Sequence, residues 1–354
     1  MNLAVVDKIA KAVLYEGYML YPYRPSSVKN QQRWNFGVLC PPSYSKSQDG
    51  SEASVMQTEC LVEGGALTAL EIRVRFLQLL ERSVGELTKT ATELLPGEIP
   101  GFRPVAKLQV NGRVYHAWQE AVEREVVLPA CHLEALVDNA TVHAFAFPAE
   151  KQFAPLPEEG GEVAGMLIRE GSDIFGEVQV TATRPDNRIF KLSVRIRNTT
   201  PFTVTTNTRR ADALLSSLAS THTVLSVQDG MFVSLLAPPE EVGELATSCN
   251  NVGTWPVLVG EEGQCDTVLS SPIILYDYPQ IAPESAGDLF DGTEIDEILS
   301  LRIMTLTDAE KLEMSQSDER ARQMLERTET MPVEQLMKLH GVLRDVRRRN
   351  EKVP

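Results

Sequence analysis

The side chains with the widest chemical range in this sequence are five histidines (His116, His132, His143, His222, His340) and five cysteines (Cys40, Cys60, Cys131, Cys249, Cys265). Metal-ligating types crowd together at one place, where Cys131-His132 is followed by Glu134 and His143. A tetrahedral transition-metal site is built from close-spaced ligand pairs, and adjacent Cys and His rarely chelate one ion together. No second close pair completes a set, so the spacing predicts no metal, and a site near His132 and His143 stands only as the enzyme alternative. The acidic run Asp288, Asp291, Glu294, Asp296, Glu297 lacks the ligand order and closing glutamate of a calcium loop. Carboxylates in the first turn of a helix account for it, because they complement the helix dipole. His116, between Val114 and Trp118 on one strand face, reads as a packed, hydrogen-bonded core histidine.

Phosphate loops, dinucleotide fingerprints, GxSxG elbows and HExxH helices are all missing. The expectation is a chain with no resident cofactor and no catalytic residue that sequence can name, leaning away from an enzyme. The cysteines are odd in number, widely spaced and without a CxxC pair, which predicts reduced, mostly buried thiols.

Binding chemistry is better represented. Residues 15–44 hold Tyr15, Tyr18, Tyr21, Tyr23, Trp34, Phe36 and Tyr44, five of the chain's eight tyrosines among them. Pro22, Pro25, Arg24, Lys29 and Arg33 interrupt the rings. Tyr, Trp and Arg are the residue types enriched at interface hot spots, and a proline-broken run cannot place them all on one buried face. Tyr15, Tyr18, Tyr21, Tyr23, Arg24, Trp34 and Phe36 are therefore the candidate partner-binding residues, with a loop covering the sheet as the competing reading. A second candidate is the charge split of the C-terminal region. Residues 286–319 carry ten acidic and two basic side chains, and 320–354 carry five acidic and nine basic. Such halves can pair with each other, face an acidic partner or simply stay solvated.

The elements that must position these groups follow from periodicity. The 354 residues suit two or three domains, and 43% hydrophobic content supplies a core. Leu3, Val6, Ile9, Ala10 and Val13 recur at helical spacing. Glu71-Ile72-Arg73-Val74-Arg75-Phe76 alternates as a half-buried strand does. Leu108–Tyr115 folds about Asn111-Gly112, a type I′ turn pair. Val178, Val180 and Ala182 should share a buried face with Leu192, Val194 and Ile196 across the Pro185-Asp186-Asn187 turn, with Arg195 and Arg197 in water. Beyond Pro283 the period becomes helical: Thr293 caps one helix, Thr307 with Glu310 forms a capping box, Ser317 starts a third and Pro332 a fourth. Leu336, Leu339, Leu343 and Val346 line the last.

The predicted fold is mostly β, with sandwich-type antiparallel sheets and a helical C-terminal subdomain. Its parts are an N-terminal helix and aromatic-rich segment (1–50), a β-rich unit (51–147), a linker or crossing rich in Pro and Gly (148–162), a second β-rich unit (163–283) and the helical subdomain (284–354). The net charge of −15 argues against nucleic acid as a partner, since phosphates would be repelled. Charge entering at Asp7 breaks any signal-peptide core, and no apolar run approaches the length of a membrane span. The expectation is a cytoplasmic protein without membrane insertion.

Three stretches carry a resemblance: Leu14-Tyr15-Glu16-Gly17-Tyr18-Met19-Leu20-Tyr21-Pro22-Tyr23-Arg24, Trp118-Gln119-Glu120-Ala121-Val122-Glu123-Arg124-Glu125, and Ile273 to Leu306. The chain resembles uncharacterised proteins encoded beside high-affinity, actinobacterial-type nickel–iron hydrogenases. The resemblance implies an accessory or assembly role, with hydrogenase subunits or their precursors as protein partners, and supplies no site residues. The chain itself has neither the paired CxxC ligands of a nickel–iron centre nor a cysteine set for an iron–sulfur cluster. A structural subunit of a larger complex is the other non-catalytic alternative.

Overall fold

In the computed structural model, which describes residues 6–10, 35–91, 101–280, 303–317 and 319–332, the alternating run at Glu71–Phe76 lies inside a much longer strand, β1 (Val55–Ala91). At about 3.3 Å per residue, a straight strand of that length would outrun any small domain. β1 instead changes partners along both edges. β11 (Ile189–Asn198) pairs with it over Val55–Glu63, and β12 (Ala219–Val233) over Leu61–Leu77. β5 (Trp118–Val127) takes Arg73–Arg82, β2 (Phe102–Val105) takes Val84–Leu87, and β9 (Val163–Gly171) takes Leu80–Ala91. All of these ladders are antiparallel.

The resulting 12-stranded sheet follows the path β13 (Trp255–Leu258), β14 (Thr267–Ser271), β12, β1, β11, β10 (Ile174–Thr183), β7 (Thr141–Phe147). Its inner face closes on the largest apolar cluster, which includes Val62, Leu70, Phe76, Val178, Phe190, Val194, Leu225 and Val268. The helix Leu133–Asp138 closes one side with Leu133 and Leu136. The fold is mostly β and of sandwich type. The two β-rich units expected on either side of residue 150 share this one sheet and core, because β1 pairs with strands from both.

The ladder of β1 with β12 slips between Gly64 and Ala69, as at a bulge. Thr68 lies there, fully buried. Its hydroxyl accepts the Gly65 N–H at 2.9 Å and donates to the Asp229 carbonyl at 2.7 Å. A Cβ on Gly64 or Gly230 would fall 2.3 or 2.6 Å from the Thr68 side chain, so the chains approach this closely only because both positions are bare.

The hairpin about Pro185–Asn187 has the expected face. Val178 pairs with Ile196, Val180 with Val194 and Ala182 with Leu192, and all six are buried. Asn111 and Gly112 both have positive φ at the tip of the hairpin formed by β3 (Lys107–Val110) and β4 (Arg113–His116), as a type I′ turn requires. The stretch 148–162, read from its prolines as a linker or crossing, holds β8 (Glu150–Pro157) paired with β9. Among the described residues β8 pairs with β9 alone, and proline is tolerated in such an edge strand. β7–β8 and β9–β10 form one ribbon bent at Pro148-Ala149 and Ser172-Asp173, where the Ala149 N–H donates to Asp173 at 2.8 Å.

Residues 6–10 are helical and bury Val6, Ile9 and Ala10 against Val224, Val257, Leu269 and Leu275. The helices Asp308–Ser317 and Glu319–Thr330 build their own apolar cluster from Ile303, Met314, Met324 and Leu325, linked by Lys311–Glu329 at 3.0 Å. The Thr307–Glu310 capping box is formed: the Thr307 N–H donates to the Glu310 carboxylate at 2.8 Å and the Glu310 N–H to Thr307 Oγ1 at 3.3 Å. The helices expected after Thr293 and Pro332, with the seam at Leu336, Leu339, Leu343 and Val346, lie outside the described residues.

The burial of Val194 beside exposed Arg195 gives a direct test of register. Val194→Asp should cost roughly 3–5 kcal/mol in a urea titration, since it places an unpaired charge in the core. Arg195→Asp should stay within about 0.5 kcal/mol. Equal losses would mean that the assigned strand register is wrong.

Candidate interaction surface

Of the predicted partner-binding residues, Tyr15, Tyr18, Tyr21, Tyr23, Arg24 and Trp34 lie outside the described residues, and Phe36 lies within them. The chain at 36–39 runs alongside the start of β12: the Ser220 N–H donates to the Phe36 carbonyl (3.0 Å), Thr221 to Gly37 (2.9 Å) and Leu39 to Leu218 (2.8 Å). Gly37, at φ +53°, lies so close to Pro272 that a Cβ there would fall 2.7 Å from its ring. Phe36 is thereby held, partly exposed, next to the segment that leaves β14.

That segment alternates. Ile273 and Leu275 turn inward onto Ile9, Val257 and Leu269, and their neighbours are forced outward, leaving Ile274 71% and Tyr276 86% exposed. Trp255, also partly exposed, starts β13 in register with Ser271. Phe36, Trp255, Ile274 and Tyr276 thus flank or belong to one stretch, 271–276. The last three escaped sequence reasoning because single apolar residues in strand-like runs look like core. Tyr44 turns the other way: it is buried and meets the Phe202 ring edge-on at 6.2 Å.

Beside the helical turn 6–10, a cavity of about 370 Å³ is lined by Asp7, Lys8, Ala10, Arg75, Glu123, Arg124 and Glu125. Arg75 holds Asp7 and Glu125, each at 2.8 Å, and so pins the turn to the sheet. Opposite Arg75 in the ladder sits His222, fully buried, with Nδ1 3.0 Å from the Ser220 carbonyl and, among the described residues, no partner on Nε2. Burial pushes its pKa down to about 4; the Ser220 carbonyl opposes that shift and Arg75 adds to it.

A second polar group was not foreseen. Gln78 and Arg82 interrupt the inward row Ile72, Val74, Phe76, Leu80 and Val84 of β1, yet both are buried. Arg82 donates to the His116 carbonyl (3.2 Å) and to Glu120 (2.7 Å), and Glu120 also accepts from Arg169. Arg124 donates to Gln78 (2.8 Å), whose amide donates to the Ser172 carbonyl (2.8 Å) at the ribbon corner, and its guanidinium lies 5.0 Å over the Phe147 ring. Burial holds Arg82 below the usual arginine range, with Glu120 opposing. These contacts fasten the bent ribbon to β1. The only sequence signal was polar residues at positions of core parity.

His132 pairs with Ala69 of β1 and His143 with Val178 of β10, so the two belong to different ladders. Among the described residues no three His, Cys, Asp or Glu side chains converge as metal ligands. All five cysteines are free. Burial pushes the Cys40 and Cys249 thiols up to about 11 and raises Cys60 and Cys131, which keeps them protonated and poorly nucleophilic. His116 is partly buried near Glu313, and burial lowers its pKa. Among the described residues no helix is long and apolar enough to cross a membrane. No protein-family model matches the chain, and no curated protein matches it significantly.

His222 makes stability depend on pH. Its folded pKa of about 4 lies below the ordinary histidine value of 6.5, so the native state favours the neutral ring. That contribution, ~3 kcal/mol, is full above the unfolded pKa and is lost as pH falls through the folded one. Denaturant titrations across this range should show His222→Gln with a flatter pH slope than the parent chain. An unchanged slope would mean that the ring is not buried neutral.

Proposed function

We propose that this protein is a non-catalytic accessory or assembly factor that acts by binding another protein, a nickel–iron hydrogenase subunit or its precursor. The observation that carries the reading is the exposure of Ile274 and Tyr276 in a stretch whose Pro272 lies against Gly37 and whose Ser271 pairs with Trp255. Aromatic side chains left in water supply contact area with little entropy to lose, and an aromatic anchor with a polar rim is how protein interfaces are built. The candidate residues of 15–34 lead directly into Phe36, and one stretch that carries the hydrogenase resemblance, Ile273 to Leu306, begins inside the same surface. With a net charge of −15, the chain favours a partner whose interface rim is basic.

Purified hydrogenase subunits, mature and precursor, tested against the immobilised chain should include one that binds with a Kd below about 10 µM. Ile274→Ala combined with Tyr276→Ala should weaken that binding at least ~tenfold, the scale of hot-spot truncation, while leaving the thermal midpoint almost unchanged. Replacing Tyr21, Tyr23 and Trp34 by alanine should do the same if the upstream rings belong to the surface. Failure of every subunit to bind would reject the hydrogenase reading. Binding that survives both sets of substitutions would place the interface elsewhere.

A further inference from the structure

At the far end of the sheet path from Trp255 lies β7, Thr141-Val142-His143-Ala144-Phe145-Ala146-Phe147. It pairs only with β10, and no other backbone hydrogen bond among the described residues reaches it. Proteins commonly blunt such an edge with lysine, proline, a bulge or a covering element. β7 has no charge and no proline, and its ladder with β10 runs unbroken from Thr141↔Val180 to Phe147↔Ile174. Val142, Ala144 and Ala146 face outward and are exposed. His143, Phe145 and Phe147 face inward but are only half-buried, whereas their ladder neighbours Val178, Gly176 and Ile174 are buried. Among the described residues, the core is therefore unsealed along this edge.

We infer that the protein forms a two-fold dimer in which β7 pairs antiparallel with β7 of a second copy. The strand's own pattern fits its copy. With the two-fold axis at Ala144, the residues directly opposite are Ala144 with Ala144, His143 with Phe145, Val142 with Ala146 and Thr141 with Phe147. Every pair joins residues of the same face, so the inward rings of the two copies continue one apolar face and the small residues continue the other. Phe145 and Phe147 already contact each other at 6.1 Å and Phe76 at 6.0 and 5.6 Å, so the face to be extended is preformed. Aromatic pairs with β-branched or ring partners, and small residues opposite Val, are favourable cross-strand neighbours, and no like charges meet. On the adjoining strand Glu177 is already engaged by Arg197 at 3.3 Å. A basic peptide would find no acidic partner along β7, whereas a second copy is complementary as it stands, as a two-fold interface must be. The surface around Pro272 stays free in such a dimer, so this inference does not depend on the proposed function.

Sedimentation equilibrium on the full chain should show a concentration-dependent monomer–dimer equilibrium. Val142→Lys with Ala146→Lys sets lysine against lysine twice and should weaken the dimer ~tenfold or more. Val142→Lys with Ala146→Glu sets lysine against glutamate at the same two places and should retain it. Circular dichroism and the thermal midpoint check that both variants fold, and Ala144→Lys, with one opposed pair at the axis, gives a third, milder test. A parent chain that remains monomeric at every concentration overturns the inference. So does a dimer indifferent to all three variants, and so does equal loss in the Lys/Lys and Lys/Glu chains, which would exclude this register.

Discussion

The pairing of β1 along both of its edges is the constraint on which the rest of the molecule depends. Strands from both halves of the chain, β2, β5, β9, β11 and β12 among them, take their positions from this one element. The ladder of β1 with β12 lapses between Gly64 and Ala69. Thr68 makes the lapse tolerable: its hydroxyl satisfies both a donor and an acceptor that the slipped ladder leaves over, and the bare Gly64 and Gly230 let the backbones close around it. An unpaired buried backbone group would otherwise cost on the order of a kcal/mol or more.

The same need for satisfaction explains the polar row beneath the ribbon corner. Where β7–β8 and β9–β10 bend together, carbonyls such as that of Ser172 lose their ladder partners, and Gln78 reaches in to one of them. Gln78 in turn orients Arg124, and Glu120 binds both Arg82 and Arg169. Apolar residues of similar volume could give equal stability here, as the attraction within a buried ion pair seldom exceeds its desolvation cost. What the polar row adds is geometric definition of the corner.

Two of the exposed features lie at the ends of the sheet path. At the β13 end, Phe36, Trp255, Ile274 and Tyr276 stand in water above the apolar layer that holds the helical turn 6–10. At the β7 end, an uncharged edge leaves its aromatic face half-covered.

The sequence by itself determined the elements whose periodicity is local. The parity of Val178 to Ile196, the Asn111-Gly112 turn and the Thr307–Glu310 capping box each depend on residues close together in the chain, and each was legible from residue order alone. The mostly-β class followed from the same signals. Tertiary structure decided what depends on distant pairing. A proline-rich run became strand β8 because only one side of it is paired, and that pairing cannot be read from the run itself. His132 and His143 were separated because their strands join different partners. Arg82 was buried because Glu120 and the His116 carbonyl, far along the chain, were brought to it. Exposure of Ile274 and Tyr276, the basis of the candidate surface, arises because Ile273 and Leu275 are claimed by a cluster that draws Ile9 from the opposite end of the sequence. Alternation shows that one face of a strand is apolar, but only the packed neighbours determine which face is covered.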